Sequence, residues 1–203
     1  LMSLTYAMIG GGIGAFIGEV HRKAIALDHT ATLVAGALSS TPEKSLESAK
    51  QLGLPEDRSY GSWQELVESE PKRTDPVDFV VIVTPNGTHF EIAEACLSAG
   101  LNVVIDKPMT TTSDEARKLA HLANEKELLC ALTYTYSGYP MIREAAELVR
   151  SGALGKLRRV EVNYIQGWLA ESIEKTGQKQ ASWRMDPKQA GAGGAQLQPA
   201  SCP

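Results

Sequence analysis

Only three cysteines occur in the chain, Cys96, Cys130 and Cys202, and no two of them form a Cys-x-x-Cys pair. Thiols so widely spaced supply neither a disulfide framework nor a zinc site. No metal is therefore expected, and a reducing, cytoplasmic location is. No Lys/Arg run offsets the acidic balance, and the formal net charge is −4. Nucleic acid needs a basic surface to neutralise its phosphates, so no nucleic-acid partner is expected. Also missing is any apolar run near the roughly 20 residues that cross a bilayer, so no membrane partner is expected either. The stretch from Leu1 to Ile9 has no basic n-region and runs straight into glycines, unlike a signal peptide.

What is present is the balance of an ordinary globular protein, 43% hydrophobic and 22% charged. A length of 203 residues suffices for one α/β domain and part of another. Short apolar runs alternate with amphipathic stretches over positions 1–133, the pattern of a doubly wound parallel sheet of Rossmann type. Strands are expected at Leu4–Ile9, Thr32–Leu38, Val77–Val83, Asn102–Ile105 and Leu128–Thr133. Between them, Ile13, Phe16, Ile17, Val20 and Ala24 recur at helical spacing. Thr41-Pro42 opens a second helix that Gly53 closes. Ser62 with Glu65 and Thr112 with Glu115 read as capping boxes, and His89–Ala99 reads as a helix stopped by Gly100. From Tyr134 the character changes, and a second unit is expected over 134–203. It begins with a helix at Tyr139–Arg150 and continues with an alternating, half-buried strand at Leu157–Ile165. No covering partner for that strand is visible, so the second domain reads as the incomplete start of an open-sheet α/β domain.

The chemistry-bearing motifs sit at strand ends. Gly10-Gly11-Gly12-Ile13-Gly14-Ala15 follows a strand and opens a helix, which reads as G-x-G-x-x-A. In that reading Gly10 makes the tight turn, Gly12 lets a pyrophosphate approach, and Ala15 packs helix on strand, with Ile13 and Gly14 between them. The phosphates then lie on free amides at the helix N-terminus. At the end of the second strand, where an acid commonly reads the ribose of NAD, stand Ser39 and Ser40. Lys44 and Arg22 are the charges at hand, so NAD and NADP both stay open, with a lean to NADP. Thr84-Pro85-Asn86, with His89 three residues on, ends the central strand, and Asp106-Lys107-Pro108 ends the next. Ligands of open α/β sheets bind just outside such ends.

Taken together, these motifs resemble the Gfo/Idh/MocA family of NAD(P)-dependent oxidoreductases. The family's Thr-Pro-Asn-x-x-His element is present in full, and its Glu-Lys-Pro motif appears as Asp106-Lys107-Pro108. Gly138-Tyr139-Pro140 and Ser151-Gly152-Ala153-Leu154-Gly155 are similar to the entry into the family's second domain. The resemblance implies hydride transfer between a nicotinamide and a hydroxyl-bearing carbon of a sugar or polyol, such as a cyclitol. It makes Lys107 the group that bonds the reacting oxygen and Asp106 an orienting acid. It places Pro85 and Asn86, with Thr84 and Pro108, beside the nicotinamide ribose, and gives His89 a supporting role. Tyr136, Trp183 and Arg184 are candidate substrate contacts, and full-length relatives are expected to be homo-oligomers. His21, His29 and His121 receive no role.

One family feature is missing. After Gly191-Ala192-Gly193-Gly194 the resemblance calls for an Asp-x-Gly-x-His motif, and Ala195-Gln196-Leu197 follows instead. The expectation is a chain cut short in its second domain, in which proton transfer falls to Lys107 alone. Losing a positioned acid/base costs about 10² to 10⁴ in rate. The competing expectation is a non-catalytic dinucleotide-binding module or sensor.

Overall fold

A computed structural model describes residues 3–163. Five parallel strands form one sheet: β1 (Leu4–Gly10), β2 (Ala31–Ala37), β3 (Phe79–Val83), β4 (Asn102–Ile105) and β5 (Cys130–Leu132). Their spatial order is β2-β1-β3-β4-β5. Beyond β2, a lone parallel bridge joins Gly36 to Ser59, and the Tyr60 amide donates to the Gly36 carbonyl at 2.9 Å. This bridge is a strand reduced to a single pairing. Counting it restores the 3-2-1-4-5-6 order of a dinucleotide-binding sheet, whose direction of winding reverses between β1 and β3.

The alternation of side chains along β1 splits the core into two layers. Ala7 and Ile9 join Val80, Ile82, Val103 and Ile105 on one face. Against them pack Leu66 of α3 (Trp63–Ser69), Ile92, Cys96 and Leu97 of α4 (His89–Ser98), and Leu119 and Ala123 of α5 (Ser113–Glu125). Tyr6 and Met8 point the other way, toward Leu38, Ala49 and Leu54, under α1 (Phe16–Ala26) and α2 (Pro42–Gln51). Desolvation in this interior raises the Cys96 thiol to about 12, which makes it an inert core residue.

Local signals set the element ends. Thr112 and Glu115 form a reciprocal capping box on α5. At α3 the Ser62 hydroxyl accepts from the Glu65 amide at 3.3 Å, but the Glu65 carboxylate reaches back to Gly61, one residue earlier than expected. Two expectations are corrected. In α1 only Ile17 of the apolar stripe packs toward the sheet. Ile13 precedes the helix, and Phe16 and Val20 are exposed at 73% and 41%. The inward face is Ile17, Gly18, His21 and Ile25, because Gly18 lies against the Gly11 backbone and turns that side of the helix to the sheet. Farther on, α6 (Pro140–Arg150) forms, but every one of its residues is exposed. Positions 157–163 form no strand, because no described strand lies beside them to complete the ladder. The remainder of that expected strand, 164–165, lies outside the described residues.

One buried ion pair anchors the edge next to the reduced strand. Arg58 meets Glu70 through its Nε at 3.1 Å, and Tyr60 Oη donates to the same carboxylate at 2.7 Å. Burial and the neighbouring carboxylate push the Tyr60 phenol well above its ordinary value, so it stays a donor. Removing Glu70 leaves the buried Arg58 guanidinium with the exposed Asp75 as its remaining charged partner, at 3.2 Å. Glu70→Leu is therefore expected to lower the unfolding free energy by about 3–5 kcal/mol, measured by urea denaturation, with Glu68→Leu, exposed in the last turn of α3, near neutral.

Candidate functional site

Gly10, Val83 and Ile105 end three neighbouring strands, so the glycine loop, Thr84-Pro85-Asn86 and Asp106-Lys107-Pro108 emerge side by side. The strands' own ladder fixes this. Gly10 pairs with Val83, Ile82 pairs with Ile105, and the Asp106 amide donates to the Ile82 carbonyl at 2.9 Å. All three motifs therefore open on the point where the sheet reverses its winding, where α/β sheets bind ligands.

The glycine loop is built differently from the expected fingerprint. Ala15 is the N-cap of α1. The close approach is made by Gly18, where an added Cβ would stand 2.3 Å from the Gly11 backbone. Gly12 is hemmed in from the protein side, for its Cβ would lie 2.6 Å from both the Leu38 carbonyl and Ser48 Oγ. The Gly12 amide already donates to Leu38, and the Ile13 amide to Ser48 Oγ at 3.2 Å. The amides left for an anion are those of Gly14 and the first turn of α1, which no helix can satisfy internally.

Outside this loop lies a cavity of about 520 Å³ lined by Gly12, Ile13, Ala15, Ser39, Glu43 and Lys44, among others. Its size and its helix N-terminus fit the adenosine and phosphate portion of a dinucleotide. Ser39 lines it; Ser40, next in sequence, is exposed and does not. Arg22 is engaged elsewhere, donating to the Gly11 carbonyl at 2.6 Å from the side of α1. Of the two charges expected near the ribose, only Lys44 is there, flanked by Glu43 and Glu47.

Beyond the ends of β3 and β4, Thr84 and Asn86 are partly buried, and Pro85 and Lys107 are exposed. His89 is fully buried, so it does not line the surface of the site. Its Nε2 lies 2.8 Å from the Thr84 carbonyl and its Nδ1 2.7 Å from the Pro108 carbonyl. The ring lies between two backbone acceptors, one on each loop. The imidazole thus staples one motif loop to the other, and the Lys107–Pro108 peptide between them is cis.

Asp106 brings in a residue that the sequence reading passed over. His21 Nε2 stands 3.3 Å from Asp106 Oδ1, and Thr133 Oγ1 donates to the same oxygen at 3.1 Å. Burial pushes the Asp106 carboxyl up, but hydrogen bonds from His21 and Thr133 and the charges of Lys107 and His21 outweigh it, holding the group below its ordinary value. Two signals for these residues were present. A glycine inside a helix costs about 1 kcal/mol relative to alanine and so marks a packing need, as at Gly18. His21 follows at i+3, on the same inward face. Tyr136 is exposed and meets the Tyr139 ring edge-on, at 5.4 Å between centroids. Trp183 and Arg184 lie outside the described residues, as does the segment that lacks the Asp-x-Gly-x-His motif.

Fold and strand-end motifs together define a dinucleotide-binding type of domain. Comparison with known families agrees. The model described as an oxidoreductase family with an NAD-binding Rossmann fold matches residues 4–134, and the model of the GFO/IDH/MocA C-terminal domain matches residues 142–198. The chain belongs to the Gfo/Idh/MocA oxidoreductase family, whose members use NAD or NADP. It is 35% identical over 189 residues to the uncharacterized oxidoreductase YfiI of Bacillus subtilis, covering 93% of this chain and 48% of that protein. Levoglucosan dehydrogenase of Pseudarthrobacter phenanthrenivorans is 27% identical over 201 residues, covering 95% of this chain and 47% of the other. Among solved structures, an inositol dehydrogenase homolog from Azotobacter vinelandii in complex with NADH and myo-inositol superposes with a TM-score of 0.83. It shares 36% identity and covers 92% of this chain and 48% of that one. The chain thus spans about half the length of the relatives it matches.

Two predictions follow from this geometry. Gly18→Ala pushes α1 off the end of β1, and overpacking of this kind costs about 1–3 kcal/mol; calorimetry of the variant should show the loss. Because the Asp106 carboxyl is held low in the fold, its stabilisation is full above the ordinary carboxylate range near 4 and disappears as pH falls through the lowered value. Asp106→Asn, which keeps an acceptor oxygen, should flatten that acid limb in thermal melts run from neutral to acid pH.

Proposed function

We propose that this chain forms the cofactor-binding half of an NAD(P)-dependent oxidoreductase acting on a hydroxyl-bearing carbon of a sugar or cyclitol. The observation that carries the reading is the emergence of three motifs at adjacent strand ends, beside a helix N-terminus with amides to spare. The names of the levoglucosan and inositol relatives support the substrate class.

In this reading the amides of Gly14 and the first turn of α1 hold the pyrophosphate, while Ser39 and Lys44 face the adenosine ribose. A bound nicotinamide supplies or accepts the hydride at its C4. Thr84, Pro85 and Asn86 border the ribose attached to it, with His89 holding their loop against Pro108. In reduction the Lys107 ammonium donates a hydrogen bond to the reacting oxygen and then its Nζ proton; in oxidation the neutral amine accepts the hydroxyl proton at Nζ. Asp106 stays ionised and orients the strand end that carries Lys107, and the exposed Tyr136 is offered to the substrate. Trp183 and Arg184 keep their place as proposed substrate contacts.

The test is titration of the 203-residue chain with NADH and NADPH, followed by nicotinamide fluorescence, with Ala15→Asp as the control. Aspartate is a favoured N-cap, so α1 should be kept or strengthened, yet its charge occupies the phosphate position. Wild type should bind one or both dinucleotides while Ala15→Asp melts no earlier and binds neither. Binding that survives in Ala15→Asp would remove the phosphates from this helix. Where polyol oxidation is measurable, Lys107→Ala should lower its rate by about 10² to 10⁴ and leave dinucleotide affinity unchanged.

A further inference from the structure

We propose that His21 is a positioning residue, which sets Lys107 against the cofactor by tethering Asp106 to the helix that opens the phosphate site. The proposal rests on the reading above and adds to it a residue that no motif contains.

Asp106 is held from three directions. Its amide donates to Ile82 of β3, and one carboxylate oxygen receives both Thr133 at the end of β5 and His21 from α1. His21 is 8% exposed, so its ring is committed to the interior and not to solvent. The contact requires the proton on Nε2, because a carboxylate only accepts. Lys107, the next residue, is exposed, and no ion pair among the described residues restrains it. Its placement therefore depends on its backbone, and that backbone depends on how Asp106 is held.

The other end of the tether is equally specific. Arg22, beside His21, donates to the Gly11 carbonyl at 2.6 Å, and Gly18, three residues before His21, rests on the Gly11 backbone. One stretch of α1 thus grips the glycine loop on one side and Asp106 on the other. The spacing between phosphate amides and the Lys107 ammonium is set by this short chain of contacts. Misplacement of a reacting group by about 1 Å can cost 10²-fold in rate, so a residue that fixes the spacing matters without touching substrate.

The experiment measures where Lys107 is, not whether the chain turns over. The full 203-residue chain is treated with an acetylating ester with and without NADH, and acetylation of Lys107 is followed by peptide mass spectrometry. NADH affinity is measured in parallel by fluorescence for wild type, His21→Gln and His21→Leu. With NADH at about ten times its Kd, occupancy alone should slow acetylation of a covered lysine about tenfold. Wild type and His21→Gln, whose amide keeps a donor near Nε2, should show that protection. His21→Leu should still bind NADH, yet its Lys107 should react at nearly the unprotected rate. If His21→Leu melts too early to assay, Asp106→Ala cuts the same tether from the other end and must give the same loss. Full protection in the cut variants overturns the proposal, as does loss of protection in a folded His21→Gln. Loss of NADH binding itself on cutting the tether overturns it too, since His21 then serves the fold alone. Failure of wild type to bind NADH defeats the functional reading instead, and binding without protection defeats the placement of Lys107.

Discussion

Backbone lies against backbone where α1 crosses the end of β1, at Gly11 and Gly18, and the site depends on that contact. It brings the helix N-terminus close enough to the strand ends for its unpaired amides to face the same space as the loops after β3 and β4. A helix set farther out would still cover the sheet, but its amides and Lys107 would no longer share one crevice. The same contact decides which side of α1 turns inward, and hence that His21 and not Val20 faces the core.

Buried polar groups reinforce this arrangement instead of leaving it to hydrophobic packing. His89 joins the loop after β3 to the loop after β4, and His21 with Thr133 fixes Asp106. A satisfied polar contact in the interior is directional, whereas apolar packing tolerates sliding, so such contacts suit loops that must hold atoms in place. Away from the site, the Arg58–Glu70–Tyr60 group does the same for the edge next to the reduced strand. Among the described residues, the site leaves charge in the open at Lys107 and at the mouth of the cavity, where Glu43, Lys44 and Glu47 stand.

Much of this was legible in the residues. β4 matches its expected bounds, and the other four strands differ from theirs at their ends by one or two residues. Their β-branched runs are punctuated by glycine, proline and capping pairs, which are local signals. The strand-end motifs were legible for the same reason, since each follows its strand directly. The phase of α1 was not, because Ile13, Phe16 and Val20 satisfy a helical period without facing the sheet. Periodicity shows that a stripe exists but does not say which protein surface it meets. Gly18 hinted at an inward face that His21 shares, but the partner of His21 and Thr133 was not legible, because Asp106 lies 85 and 27 residues away in sequence. The strand expected at 157–165 shows the converse limit. Alternation describes a strand's preference, but a ladder needs a neighbour.

The central claim is that a dinucleotide spans from the amides of α1 to Lys107 across the point where the sheet reverses. Amide chemical shifts of the ¹⁵N-labelled chain, followed while NADH is added, test it most directly. The account predicts saturable changes concentrated at Gly12–Ile17, Ser39, Thr84, Asn86 and Lys107, including residues at both ends of that span. Changes confined to the separate polar cavity lined by Asp57, Tyr60, Glu68, Ser69, Lys72 and Arg73, or no saturable change at all, would contradict it.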